Sequence, residues 1–158
     1  MTKYFLLFLY FATLISFGQK TPATEDKIYD AIDFFTANPT EETLNTLESF
    51  SNSLSTKTKD KNELLAIVAL NCNKGYYENI FGKISKAISS YELAWKIYHK
   101  NKLTTYDITE YCLKPLGNLY TRIGDYSNAE NSIKQYYFVA SQEKNESQKQ
   151  AAVLNLSN

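Results

Sequence analysis

Apolar residues recur every three or four positions over most of the chain, which is the spacing of one face of an α-helix. The first two stripes are Ile28, Ala31, Ile32 and Phe35, followed by Leu44, Leu47, Phe50 and Leu54. Pro39 separates them and Thr40 is suited to cap the second helix, so the pattern predicts an antiparallel helical hairpin. The polar stretch from Ser53 to Glu63 predicts a linker, and helical spacing resumes after it. We therefore expect an all-α protein.

From Glu63 onward the sequence repeats itself with an offset of 42 residues. The matched pairs are Gly75 and Gly117, Gly82 and Gly124, Ala87 and Ala129, Tyr91 and Ile133, and Ala94 and Tyr136. Glycine, small and large positions agree together, so chance is a poor explanation. A fixed period of roughly 20 to 50 residues is typical of a solenoid, in which each unit buries its apolar face against its neighbours.

Small residues are expected to fix the geometry of each unit. The structural repeat positions are Gly75, Gly82 and Ala87 in the first copy and Gly117, Gly124 and Ala129 in the second. Gly75 and Gly117 lie within a predicted first helix, where a closely crossing second helix leaves no room for a Cβ. Gly82 and Gly124 are expected to end that helix in the left-handed conformation.

The second copy, CLKPLGNLYTRIGDYSNAENSIKQYYFVA, resembles the tetratricopeptide repeat, or TPR. The residues that carry the resemblance are Leu113, Leu116, Gly117, Tyr120, Gly124, Tyr126, Ala129 and Ile133. The resemblance implies a right-handed α-solenoid of antiparallel helix hairpins, with units longer than the usual ~34 residues. It divides the chain into a hairpin and linker at residues 19–62 and an array at 63–158. Units are expected at 68–109 and 110–149, with an incomplete third unit at 150–158.

The phrases EYCLKPLGNLY and GDYSNAENSIKQYYF are also similar to TPR arrays that precede a caspase-like peptidase domain, the CHAT domain, in exported bacterial proteins. This narrower resemblance covers only the repeats, because no stretch matches the His/Cys catalytic pair of that domain. We therefore expect a chain that is not an enzyme and has no catalytic residue. Since it ends inside a predicted repeat, we interpret it as a fragment, or the product of a truncated gene, of something longer. If the chain ends here, we expect it to self-associate through an uncapped C-terminal face.

A solenoid of this kind implies a concave groove, lined by one face of the first helices, that binds a protein or peptide. The predicted binding residues are Tyr76, Asn79, Tyr111, Lys114, Asn118, Arg122 and Asn155. Arg122 is interpreted either as a carboxylate partner or as a solvated cation at a helix end. Lys114, Asn118 and Asn155 resemble part of the clamp with which chaperone-adaptor repeats hold a C-terminal carboxylate. The alternative for all three is a generic groove contact.

Charge and composition exclude several other functions. The chain has 17 basic and 17 acidic residues, so it has no basic surplus that would attract a nucleic acid. The one histidine, His99, has no acidic residue nearby in sequence to orient it, so we expect neither a Cys/His dyad nor a metal site or cofactor. Cys72 and Cys112 are most simply small buried apolar residues, and a disulfide between neighbouring helices is the alternative.

The N-terminus predicts a signal peptide over residues 1–18. Lys3 provides the basic start, and an apolar run follows from Tyr4 to Phe17. That run is shorter than the ~20 residues that span a bilayer, so we expect cleavage near Gly18 and Gln19, with an uncleaved anchor as the alternative. The mature protein is then exported, either periplasmic or secreted, with no membrane span.

These observations together favour a non-catalytic protein–protein interaction scaffold of an exported bacterial protein. Two other interpretations remain open. The chain could be the N-terminal recognition part of a CHAT-domain cysteine peptidase whose catalytic domain is absent here. It could also be the sensor region of a membrane signalling protein.

Overall fold

A computed structural model describes residues 24–156, and within this range the chain is helical and contains no strand. The elements are α1 (Thr24–Ala37), α2 (Glu41–Ser53), α3 (Lys61–Ile80), α4 (Ile84–Lys100), π1 (Thr109–Leu113), α5 (Lys114–Arg122), α6 (Tyr126–Gln142) and α7 (Glu146–Leu156). The expected all-α class is confirmed. The predicted signal peptide lies outside the described residues.

Helices α1 and α2 form the predicted hairpin and pack on α3. The Thr40 hydroxyl accepts a hydrogen bond from the Thr43 backbone N–H, and the Thr43 hydroxyl accepts one from the Thr40 N–H, at 3.2 and 2.9 Å. This reciprocal capping box fixes the start of α2. The buried side chains of the hairpin are Ile28, Ile32, Phe35, Leu44 and Leu47.

Helix α3 is the most buried element, because the N-terminal hairpin covers one side of it and α4 covers another. Asp60 caps its start, where Oδ1 accepts from the backbone N–H groups of Asn62 and Glu63. The helix that follows α4 begins with π1 and continues as α5, and this helix packs against both α4 and α6. Helix α7 packs on α6 and completes the described chain.

The same kind of turn, with a left-handed residue, ends four helices. The four turns form two pairs, and the members of each pair lie 42 residues apart. Gly82 and Gly124, with φ of 74° and 79°, follow α3 and α5, and Lys102 and Lys144, with φ of 50° and 55°, follow α4 and α6. The backbone N–H to C=O bonds that close these turns are Lys83 to Glu78, Asp125 to Tyr120, Leu103 to Tyr98 and Asn145 to Ala140, at 2.7 to 3.1 Å. A left-handed residue just after a helix satisfies its last carbonyls, and glycine adopts it without steric cost.

Pro115 lies inside the helix formed by π1 and α5, and the chain accommodates it through the π turn directly before it. The Lys114 N–H bonds to the Thr109 carbonyl five residues back, instead of four as in an α-helix. Proline then falls in the first turn of α5, where its missing N–H is tolerated. The widened turn was not predicted from the sequence.

Candidate functional site

A pocket of about 440 Å³ lies between α3 and the π1–α5 helix. Its lining residues are Cys72, Asn73, Tyr76, Tyr91, Tyr106, Glu110, Tyr111, Lys114, Pro115 and Asn118, which we call the tyrosine groove. Four of the seven predicted binding residues meet here, namely Tyr76, Tyr111, Lys114 and Asn118. Whether they bind a partner stays a prediction, but the structure brings them to one concave surface.

Four tyrosines wall the groove at two depths. Tyr76 and Tyr111 stand at its mouth and are 54% and 59% exposed, whereas Tyr91 is buried. The Tyr106 ring lies 5.8 Å from the Tyr111 ring, between centroids, and is only partly exposed. Burial raises the pKa of both Tyr91 and Tyr106, so their phenols stay neutral at physiological pH. The groove therefore offers aromatic faces without a phenolate charge.

The charged groups of the groove neutralise each other. Lys114 Nζ lies 2.7 Å from Glu110 Oε1, one helical turn away, and this hydrogen bond raises the pKa of Lys114. Asn73 donates to the Ala69 carbonyl of its own helix at 2.9 Å. The Asn118 side chain is exposed at the mouth, and no hydrogen bond joins it to another residue in the described part of the chain. The arrangement suits a ligand with apolar surface and neutral polar groups better than a highly charged one.

The two cysteines lie at the back of the groove as free thiols. Cys72 belongs to the lining, and Cys112 is buried behind it, where its Sγ donates to the Tyr91 carbonyl at 3.2 Å. Burial raises the pKa of the Cys112 thiol well above its ordinary value. Both positions are the small buried sites expected from the sequence.

The other three predicted residues lie outside the groove lining. Arg122 Nη1 donates to Asn79 Oδ1 at 2.7 Å, and this bond joins the C-terminal ends of α5 and α3. Arg122 is exposed, as expected for a cation at a helix end, but its partner is an amide. Asn155 belongs to α7, and its side chain lies outside the described part.

Six of the ten lining residues are not among the predicted binding residues, and a sequence signal existed for two of them, Glu110 and Tyr91. Glu110 lies four residues before Lys114, a spacing that predicts an ion pair on one helix face. Tyr91 occupies a large position of the repeat, where the second copy has Ile133. Tyr106 lies between α4 and π1, where no periodic pattern indicates the direction of its side chain.

No group of three or more His, Cys, Asp or Glu side chains lies close enough to hold a metal ion among residues 24–156. Within the same range no helix is both long and apolar enough to cross a bilayer. The His99 ring is exposed and lies 5.0 Å from the Trp95 ring, between centroids.

Comparison with family models, with curated proteins and with solved structures gives no match for this chain. Function is therefore inferred from the geometry of the groove and from the internal repeat.

Proposed function

We propose that this chain is a TPR-like α-solenoid that acts as a non-catalytic scaffold of an exported bacterial protein. It binds an extended peptide or a partner helix of another protein in the tyrosine groove. The observation that carries the proposal is the groove itself. Residues from α3 and from π1–α5, the first helices of the two repeat units, line one concave surface there.

The internal repeat supports the solenoid part of the proposal. Left-handed turns at Gly82 and Gly124 close α3 and α5 with the same hydrogen bonds, and Lys102 and Lys144 repeat this for α4 and α6. Helix hairpins that end alike and stack in order are the building plan of such arrays. In these arrays the first helices of successive units together line the inner surface.

The chemistry of the groove supports a peptide ligand. Tyrosine presents a flat apolar face together with a hydroxyl, and it is enriched at interfaces because both parts contact a partner at low entropic cost. Asn118 offers an amide donor and acceptor that suit a peptide backbone. The volume of about 440 Å³ falls in the range of ordinary ligand pockets and holds a few side chains of a longer segment.

Selection from a random peptide library against the purified chain tests the binding function. We expect selected peptides to lose about tenfold or more in affinity, measured by titration calorimetry, for Tyr76→Ala and for Asn118→Ala. Tyr126→Ala is the matched control, because Tyr126 is a tyrosine that is 70% exposed and lies outside the groove lining. Failure to select any binder, or binders indifferent to both groove variants, would contradict the proposal.

Export has its own test. Expression of the chain with its natural N-terminus in a Gram-negative host should give a periplasmic product whose N-terminal residue is Gln19. A product that retains residues 1–18 in the cytoplasm would overturn this part and leave the groove unaffected.

A further inference from the structure

A second cleft, of about 550 Å³, lies on a different face of the chain from the tyrosine groove. The buried side chains of Leu113, Leu116 and Tyr120, from the π1–α5 helix, form its floor. Side chains of α4 and α6, the second helices of the two repeat units, form its walls, and we call it the α4–α6 cleft. The two clefts have no lining residue in common, so they can bind different ligands.

The carboxylate of Glu92, on the α4 wall, is held in place from the floor of the cleft. The hydroxyl of Tyr120, a residue that is 7% exposed, donates a hydrogen bond to Glu92 Oε1. Glu92 Oε2 makes no hydrogen bond to another residue in the described part of the chain. A carboxylate that is oriented before a ligand arrives loses little conformational freedom on binding. Glu92 therefore offers one fixed acceptor to a ligand in the cleft.

The opposite wall carries three amide side chains on one face of α6. Asn128, Asn131 and Gln135 are spaced by three and four residues and all border the cleft. Among residues 24–156, no hydrogen bond or ion pair joins the side chain of Asn131, of Gln135 or of Lys96 on the α4 wall to another residue. An amide both donates and accepts, and an ammonium group donates. The cleft thus presents donors and acceptors together that the described chain itself leaves unused.

Trp95, the only tryptophan of the chain, supplies an aromatic surface between these polar groups. The ring is partly buried and packs beside two rings of the next turn of α4. The centroid of the His99 ring lies 5.0 Å away and that of the Tyr98 ring 6.4 Å away. These neighbours restrict the orientation of the indole, so the cleft combines one oriented aromatic ring with a border of polar side chains.

We propose that the α4–α6 cleft binds a neutral saccharide. Each sugar hydroxyl both donates and accepts, so it matches the mixed set formed by the Glu92 carboxylate, the Lys96 ammonium group and the α6 amides. A pyranose ring carries C–H groups on its faces, and these pack against the electron-rich face of an indole such as that of Trp95. Glu92 and Lys96 contribute one charge of each sign, which favours a ligand without net charge. The proposal is independent of peptide binding in the tyrosine groove.

Fluorescence of the single tryptophan tests the proposal, because Trp95 reports directly on the occupancy of the cleft. The native chain is titrated with cellohexaose, maltohexaose, xylohexaose and triacetylchitotriose. We expect a saturable change in emission with at least one of them, at a Kd of about 1 mM or tighter. Asn131→Ala and Gln135→Ala should each weaken this binding by roughly fivefold to tenfold, because each removes a hydrogen-bonding group from the wall.

Gln142→Ala is the matched control, because Gln142 is an exposed amide of the same helix that lies outside the cleft. It should leave the Kd unchanged, and so should Tyr76→Ala in the tyrosine groove. Both cleft variants replace exposed side chains, and urea unfolding should show that they fold like the parent chain.

Three results would overturn the proposal. The first is the absence of a saturable change with all four oligosaccharides up to about 10 mM. The second is a change that persists undiminished in Asn131→Ala and Gln135→Ala, since the sugar would then bind outside the cleft. The third is a peptide, selected against the purified chain, whose binding depends on these two amides and not on Tyr76, which would assign the cleft to a protein partner. Loss of the proposed peptide binding would leave the saccharide titration unaffected, so the two proposals fail separately.

Discussion

Gly75 lies directly against the ring of Tyr91, where a Cβ built on the glycine would stand 3.0 Å from Tyr91 Cε2. In the second unit, Gly117 faces Ile133 in the same way, with 3.2 Å between the added Cβ and Ile133 Cγ1. The two contacts differ in how far the neighbour can move. Tyr91 is 2% exposed, whereas Ile133 is only partly buried.

Gly75→Ala should destabilise the protein, whereas Gly117→Ala should be nearly neutral. Alanine gains about 1 kcal/mol of helix propensity at either position. At Gly75 the clash with a buried aromatic ring outweighs this gain, so we expect a net loss of about 1–2 kcal/mol in the free energy of unfolding. At Gly117 a small shift of Ile133 relieves the contact. Urea unfolding of both variants measures the difference, and equal effects would contradict the argument.

Lys102 and Lys144 adopt the left-handed conformation after α4 and α6. The equivalent turns after α3 and α5 have glycine at this position. A side chain in this conformation costs about 1 kcal/mol. Lys102→Gly should therefore raise the free energy of unfolding by about 0.5 kcal/mol, after the entropy that glycine adds to the unfolded chain is subtracted. The same measurement on Lys144→Gly should give a gain of the same sign.

Lys96→Gly provides the control for these two variants, because Lys96 is an exposed residue inside α4. Glycine in a helix interior costs about 1 kcal/mol, so this variant should be less stable than the parent chain. If Lys102→Gly destabilised the chain as much as Lys96→Gly, the left-handed turn would not be a source of strain.

Glu78 is a buried carboxyl group on α3, 1% exposed, and the Ser90 hydroxyl donates to it at 2.6 Å. Burial raises the pKa of Glu78, and the hydrogen bond from Ser90 opposes this in part. As the pH rises above 4.5, the ordinary pKa of a glutamate, Glu78 therefore loses its proton in the unfolded state before it does so in the native state. The free energy of unfolding therefore falls between pH 4.5 and the raised pKa of the native state, and it stays lower at higher pH.

Glu78→Gln should remove this loss, because the amide oxygen still accepts from Ser90 and carries no charge. The variant should gain stability relative to the parent chain as the pH rises from 4 to 7, measured by urea unfolding at several pH values. Ser90→Ala should act in the opposite sense, because losing the hydrogen bond raises the pKa further and extends the interval to higher pH. A constant difference between Glu78→Gln and the parent chain at all pH values would contradict the assignment.

The sequence predicts the elements that local rules determine. Thr40 begins a helix because its hydroxyl caps it, and Gly82 and Gly124 end helices because they adopt a left-handed conformation that few residues tolerate. Tyr76 and Asn118 could be assigned to one groove because they lie 42 residues apart, at equivalent positions of the repeat.

The features that sequence reasoning missed depend on packing between distant parts of the chain. The π turn from Thr109 to Leu113 is set by the way the helix contacts α4 and α6 while accommodating Pro115. Tyr106 follows Thr105, a β-branched residue with φ of 69°, and no local preference predicts that geometry.

Asp107 connects the start of π1 to α7. Its carboxylate accepts from the Thr109 hydroxyl at 2.5 Å, from the Glu110 N–H at 3.0 Å and from Gln148 Nε2 at 3.0 and 3.1 Å. Gln148→Ala should weaken the docking of α7, because it removes the charge-assisted hydrogen bonds that reach across from that helix. A loss of about 1–2 kcal/mol corresponds to roughly tenfold faster amide hydrogen exchange in residues 146–156.

Lys149→Ala is the control for this variant, because the Lys149 ammonium pairs with Glu146 of the same helix, at 3.0 Å. This variant should leave the rate of amide hydrogen exchange in α7 nearly unchanged. Equal acceleration in both variants would mean that α7 responds to any change on its surface and that Gln148 has no special role.

The same carboxylate predicts how acid affects α7. Partial burial acts to raise the pKa of Asp107, but its hydrogen bonds with Thr109, Glu110 and Gln148 outweigh burial, and the pKa lies below its ordinary value of 3.8. The stabilisation is therefore fully present above pH 3.8 and is lost as the pH falls through the lowered folded-state pKa. Asp107→Asn should reduce stability at pH 6 and converge with the parent chain in strong acid, measured by urea unfolding. A difference that persists unchanged at the lowest pH would show that Asp107 acts through packing rather than through its charge.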